Sequence, residues 1–140
     1  MDLAIISLGG TGAKLIAKEA GKYFDKVDLL NIKSVEVHIG RDGLSVLYKN
    51  KPLKKYDCVY TRGSFKYALL QRSLTEALKD TCYLPIKAGA YTVGHDKFLT
   101  SIALKRHGVP TPGTYLALTT SSAKELLKQV NYPIIIKLPS

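Results

Sequence analysis

Cysteine, arginine and acidic residues are all scarce in this chain, and each scarcity excludes something. Its 140 residues hold two cysteines, Cys58 and Cys82, which form neither a CxxC pair nor a dense framework. That excludes a disulfide-stapled domain and leaves two reduced, buried thiols as the expectation. Four arginines, Arg41, Arg62, Arg72 and Arg106, are scattered. They do not interleave with aromatics as in a single-strand nucleic-acid surface, which argues against a nucleic-acid partner. No apolar run approaches the ~20 residues that span a bilayer, so no membrane partner is expected. The segment Met1-Asp2-Leu3-Ala4-Ile5-Ile6-Ser7 has no basic n-region and no small-residue cleavage site. It does not read as a signal peptide, and a cytoplasmic location is expected. The histidines His38, His95 and His107 lack metal-ligand spacing, and no Ser-His-Asp or Cys-His order can be drawn.

Positive charge is what the chain has in excess. Twenty-one lysines and arginines face eleven acidic residues, a net charge of +10. Such a balance attracts polyanions: nucleic acid, nucleotide phosphates, acidic peptides or anionic membrane. Lys14, Lys18 and Lys22 recur every four residues and line one face of a first helix. Lys49, Lys51, Lys54 and Lys55 cluster around a turn. Solvated lysine faces account for both groups without any ligand. The apolar fraction, 46%, is enough for one real hydrophobic core at this length.

The pattern opens as an α/β unit. Leu3 to Leu8 reads as a strand, Gly9-Gly10-Thr11-Gly12 as a turn, and the segment to about Phe24 as a helix with Ile16, Ala20, Tyr23 and Phe24 in one stripe. Val27 to Ile32 is a second strand, so the order is that of a parallel, doubly wound sheet. Val35 to Ile39 and Leu44 to Tyr48 alternate around Arg41-Asp42-Gly43, a hairpin signal. Asp57 to Thr61 is a further strand, and Phe65 to Lys79 a helix burying Leu70, Leu74, Ala77 and Leu78. Tyr83 to Ile86 reads as short and extended, and Ala88 to Val93 as a small-residue turn or short helix. A boundary near residues 88–95 precedes a helix from Asp96, with Leu99, Ile102 and Ala103 inward, that stops at Gly108 before Pro110 and Pro112. Thr114 to Leu118 reads as a strand. Ser122-Ala123-Lys124-Glu125 reads as a capping box for a helix with Ala123, Leu126, Leu127 and Val130 on one face. Ile134-Ile135-Ile136 reads as a buried strand delivering Lys137.

Four places could carry chemistry. Gly9 to Lys14 joins a strand to a helix, where backbone N–H groups can hold an anion. It is neither a Rossmann fingerprint, since Leu15 stands at the third glycine position, nor a P-loop; a plain tight turn is the other reading. Arg62 sits at the carboxyl edge of the sheet, where it could grip a carboxylate or simply cap a turn. Lys97 lies in the first turn of a helix, where the dipole disfavours a cation unless an anion is near. Alternation points Lys137 the same way as Ile135, an inner face that is expensive unless the ammonium is paired, or else it snorkels past the strand end.

In combination these segments resemble the start of an ATP-grasp enzyme of the RimK-like glutamate ligase group. Ala4-Ile5-Ile6-Ser7 resembles its opening strand. Tyr56 to Ser64 resembles its strand ending in an arginine-containing turn. Asp96-Lys97-Phe98-Leu99-Thr100-Ser101 with His107-Gly108-Val109-Pro110-Thr111-Pro112-Gly113-Thr114 resembles its Asp-Lys helix and proline-rich exit, and Tyr132 to Lys137 its Pro-hydrophobic-Lys strand. The resemblance covers the whole chain, loosely to residue 88 and tightly beyond. It implies a Rossmann-like pre-ATP-grasp domain with a parallel sheet over residues 1–90. An incomplete α+β first lobe of an ATP-grasp domain would follow over residues 91–140.

The resemblance implies an ATP-dependent carboxylate–amine ligase working through an acyl phosphate. Lys97 and Lys137 would contact ATP phosphates and Arg62 the carboxylate of the substrate amino acid. The family's glycine-rich loop, adenine-binding segment and magnesium ligands would lie beyond residue 140, so the 140-residue chain alone is expected to be inactive. The expected ligands are ATP with Mg2+, an amino-acid or carboxylate substrate, and a protein or cofactor acceptor, for which the basic surface favours an acidic one such as a glutamate-rich tail. The final strand's edge leaves homo-oligomer formation open. Two alternatives remain. One is a non-catalytic basic α/β module binding nucleotide or nucleic acid; the other, a dinucleotide-dependent Rossmann enzyme, lacks the third glycine and the acidic residue.

Overall fold

A computed structural model describes residues 1–41 and 43–137. Asp42, in the expected hairpin turn, and Leu138, Pro139 and Ser140, which follow Lys137, lie outside the described residues. The chain divides into two compact units, Met1–Thr92 and Val93–Ser140.

The first unit is α/β. Strand β1 (Asp2–Ser7) is central, with β2 (Lys26–Asn31) and β6 (Cys58–Thr61) on either side, all parallel. Leu3 lies opposite both Val27 and Cys58, and Ile6 opposite both Leu30 and Thr61. Every residue of β1 from Leu3 to Ser7 is buried, as expected where a parallel strand has cover on both faces. On one face Ala4 and Ile6 pack with Val59, Leu74, Leu84, Ile32 and Val35. On the other, Leu3, Ile5 and Cys58 meet Ile16, Ala17, Ala20 and Phe24. Helix α1 (Thr11–Ala20) thus covers one side and helix α2 (Ala68–Leu78) the other.

Both helices are shorter than their periodicity suggests. α1 closes at Gly21, whose N–H donates to Ala17 O at 3.1 Å. Phe24 still reaches the core, but Tyr23 is exposed: once the helix stops, the 3.6-residue period no longer assigns a face. α2 is preceded by a 3-10 turn over Phe65–Tyr67 and buries Gln71 and Thr75 beside Leu74. Leu70 and Leu78 pack at its margin, and Ala77 is half-buried.

A separate antiparallel sheet has the order β3 (Val35–Gly40), β4 (Gly43–Tyr48) and β5 (Lys51–Pro52). The β4–β5 turn sets Lys49 and Asn50 at φ of 52° and 61°, the left-handed pair that a tight two-residue hairpin needs. Tyr83 contributes a single parallel bridge to Cys58, with Val59 N donating to Tyr83 O at 3.0 Å. Helix α3 (Ala88–His95) carries Tyr91 into the first unit's core.

The second unit is built on α4 (Lys97–Arg106) and α5 (Thr120–Leu127). Asp96 caps α4, its carboxylate accepting from Phe98 N and Leu99 N at 2.8 Å. Thr119, and not Ser122, caps α5; its hydroxyl accepts from Ser122 N at 3.2 Å. The expected capping box therefore lies inside the helix, where Glu125 pairs with Lys128 at 2.7 Å instead. No residue of α4 or α5 is buried; Ile102 and Ala103 are half-covered and Leu99 is exposed.

Two expected strands of this unit are absent among the described residues. Neither Thr114 to Leu118 nor Ile134 to Lys137 pairs with another segment. A strand exists through its ladder, and apolar β-branched residues without a neighbouring strand stay extended and open. Ile135 is 84% exposed and Ile136 81%. No helix among the described residues is long and apolar enough to cross a membrane.

Candidate functional site

The first unit concentrates polar groups at the carboxyl edge of its parallel sheet. β1 leaves the sheet at Ser7 and turns through Gly9, whose φ of +76° is the left-handed region that favours glycine. Ser7 Oγ accepts from Gly9 N at 3.1 Å and holds that turn. α1 then begins with Gly10 as its N-cap, with no side chain capping it and no acidic residue in its first turn.

Arg62 comes to the same place from the neighbouring strand. Its N–H donates to Ile6 O at 2.9 Å, extending the β1–β6 ladder by one bond. Its guanidinium lies against Gly12, so closely that a Cβ there would stand 2.5 Å from Nη1 and 3.1 Å from Nη2. A side chain at position 12 would push the guanidinium from this seat. Two of the groups singled out from the sequence, the glycine turn and Arg62, are brought together.

The electrostatics of this pair point outward. The start of a helix carries partial positive charge, and a cation beside it is disfavoured by roughly 0.3–1 kcal/mol. The arrangement suits an anion that accepts from the guanidinium fork and from first-turn N–H groups together. Arg62 is exposed and can reach such a ligand from solvent.

Behind the edge is a buried polar layer that the sequence did not reveal. Ser7, Thr61, Gln71 and Thr75 are each no more than 3% exposed. The Tyr91 hydroxyl donates to Thr61 O at 3.1 Å and also meets Thr61 Oγ1. Burial pushes the Tyr91 phenol above its usual value, against the effect of its bonds to threonine, so it stays a neutral donor. Thr75 Oγ1 donates to Gln71 O at 2.7 Å. Gln71 presses on Gly63, the residue after Arg62, and its Oε1 is buried with no partner among the described residues. These groups pin the strand end from which Arg62 emerges. For Gln71 and Thr75 the only sequence signal is polarity on the inward face of α2, which an apolar stripe hides.

In the second unit, Lys97 is the first residue of α4, directly after the Asp96 cap, and is exposed. Lys137, the last described residue, is also exposed. The expectation that it shares a buried face with Ile135 is corrected, since the strand that would bury both has no ladder. Cys58 is buried and Cys82 partly so; burial pushes both thiols up and makes them poor nucleophiles at neutral pH. Among the described residues, no three His, Cys, Asp or Glu side chains could hold a metal ion. The described residues thus offer no carboxylate cluster for magnesium.

Comparison with curated proteins adds a direction to this geometry. The chain is 28% identical over 134 residues to the glutamate–LysW ligase ArgX of Sulfolobus acidocaldarius, covering 90% of the chain and 41% of that protein. It is similar to LysW ligases. A second ArgX, from Sulfurisphaera tokodaii, is 28% identical over 135 residues with the same coverage. The α-aminoadipate–LysW ligase LysX of Saccharolobus solfataricus is 40% identical over 42 residues, 30% of the chain and 15% of that protein. No protein-family model matches. The chain spans about two fifths of the length of the ArgX relatives. By their names these relatives are amino-acid ligases, which supports the ligase reading made from the motifs.

Proposed function

We propose that the chain forms part of an ATP-dependent carboxylate–amine ligase of the ATP-grasp, RimK-like kind, and that its first unit holds the carboxylate of an amino-acid substrate such as glutamate. The observation that carries the reading is the Arg62 guanidinium packed on Gly12 at the uncapped start of α1. The similarity of 90% of the chain to two glutamate–LysW ligases supports glutamate as the first substrate to try.

In this reading the first unit is the Rossmann-like pre-ATP-grasp domain and the second the start of the ATP-grasp lobe. Arg62 grips the substrate carboxylate with its planar fork, which lysine cannot reproduce. The Tyr91–Thr61 bonds and Gln71 keep the strand end in place, so that the fork stays aimed at the α1 terminus. Lys97 and Lys137 are the residues that would hold ATP phosphates, their ammonium groups offsetting negative charge. Bound ATP supplies the phosphoryl group that activates a carboxylate for attack by an amine. The metal ligands of such an enzyme are assigned to no described residue. The excess of lysine favours an acidic protein tail as the acceptor.

Calorimetric titration of the chain with glutamate tests this reading. Saturable binding is expected, and Arg62→Ala should weaken it by about tenfold or more, the value of a lost charge-assisted bond. Glutamate binding that is absent, or indifferent to Arg62→Ala, would overturn it. The +10 charge keeps one alternative, a nucleic-acid-binding module. Tight DNA or RNA binding that falls steeply with salt would favour that module.

A further inference from the structure

The outer edge of the antiparallel sheet is unpaired among the described residues. β3 is an edge strand, and two hydrogen bonds fix which way its backbone faces. Lys49 N donates to Ser34 O at 2.9 Å, so the even-numbered residues that follow turn toward β4. Leu53 N donates to Val46 O at 2.8 Å, so Val46 turns toward β5 and away from its cross-strand neighbour Val37. By alternation, Val35, Val37 and Ile39 direct their N–H and C=O groups outward. No strand of the described residues pairs with them.

The side chains make this edge adhesive. Val35, Val37 and Ile39 share the apolar face with Leu44, Val46 and Tyr48. Val35 is buried, but the stripe runs out into solvent at Ile39, 87% exposed, opposite Leu44, 53% exposed. The strand has no proline, lysine or bulge, the usual guards of an edge.

We propose that two copies of this chain pair antiparallel along β3 about a two-fold axis at Val37. Outward-facing residues allow three central registers. One centred on Glu36 sets Glu36 against the second copy's Glu36, and one centred on His38 sets two histidines together. Centred on Val37, the pairing sets Glu36 against the second copy's His38 on both sides of the axis. These are the partners that already meet at 2.8 Å within one chain. The same register pairs Val35 with the second copy's Ile39, and Val37 with its counterpart. All three outward residues then exchange bonds, about six in total, and the exposed isoleucine gains a β-branched neighbour. The result is an isologous dimer in which two three-stranded sheets become one.

Sedimentation equilibrium of the chain from ~1 to ~500 µM tests the proposal, with circular dichroism confirming that each variant stays folded. A reversible monomer–dimer equilibrium is expected. Ile39→Lys, at an exposed position, and Val37→Pro, at an outward N–H that the β4 ladder does not use, should each weaken it at least about tenfold. Glu36→Lys should weaken it too, and adding His38→Glu should restore it, a rescue that general destabilisation would not give. A chain that stays monomeric throughout would overturn the proposal. So would a dimer that Ile39→Lys leaves unchanged and the charge swap does not restore.

Discussion

Gly12 shows how one side chain of hydrogen can matter to a site. An alanine there puts a methyl group at the Arg62 guanidinium, and the arginine, as the far end of a flexible chain, is the part that moves. Gly12→Ala should therefore leave stability within about 1 kcal/mol of the parent, since alanine also favours the helix. It should nevertheless weaken glutamate binding by about tenfold, because the fork loses its seat. Thermal melting and calorimetry on the same sample separate the two effects. Both residues stood out in the sequence, Gly12 in its turn and Arg62 at a strand's end. Their contact was not legible, because it depends on β6 lying directly beside β1, and strand order is a long-range property. Gln71 and Thr75 were missed for a different reason. A polar residue on a helix face reads as exposed unless its buried partner is known, and here the layer around Tyr91 arrives from more than a dozen residues away.

Helices and strands fared unequally. The β1–turn–α1–β2 order and the β3–β4 hairpin were readable because a period of two or of 3.6 residues, closed by glycine, is a local signal. The ends were less so, as α1 stopping at Gly21 and α2 starting at Ala68 show. Ser122 to Glu125 fits a capping box, yet Thr119 offers a cap three residues earlier and takes the role. Thr119→Ala should cost about 1 kcal/mol, whereas Ser122→Ala should stay within about 0.5 kcal/mol. Hydrogen exchange of the α5 amides measures both; equal effects would return the cap to Ser122. The segments at 114–118 and 134–137 failed as strands because composition reports a preference for extended backbone but not the presence of a neighbour.

The molecule as a whole carries its ionisation signature on the alkaline side. Burial raises the Cys58 and Cys82 thiols from 9.0 and the Tyr91 phenol from 10.0. The unfolded chain therefore loses these protons first as pH rises. Its proton content falls below that of the native state, so stability declines as pH climbs through 9.0 and beyond. Urea midpoints should be lower at about pH 10 than at about pH 7, and Cys58→Ser should reduce the difference. Midpoints that do not move would contradict burial of these groups. At this scale the sequence showed an α/β chain with a change of style near residue 90, and the relatives show ligases. We propose that the sheet's carboxyl edge, at Arg62 and Gly12, joins the two. Titrating the 15N-labelled chain with glutamate and following every backbone amide tests that position. Saturable shifts confined to Gly9 through Ala13 and Arg62 through Ser64, and lost in Arg62→Ala, are expected. Shifts centred on the lysine-rich turn at residues 49–55, or no saturable shifts at all, would contradict it.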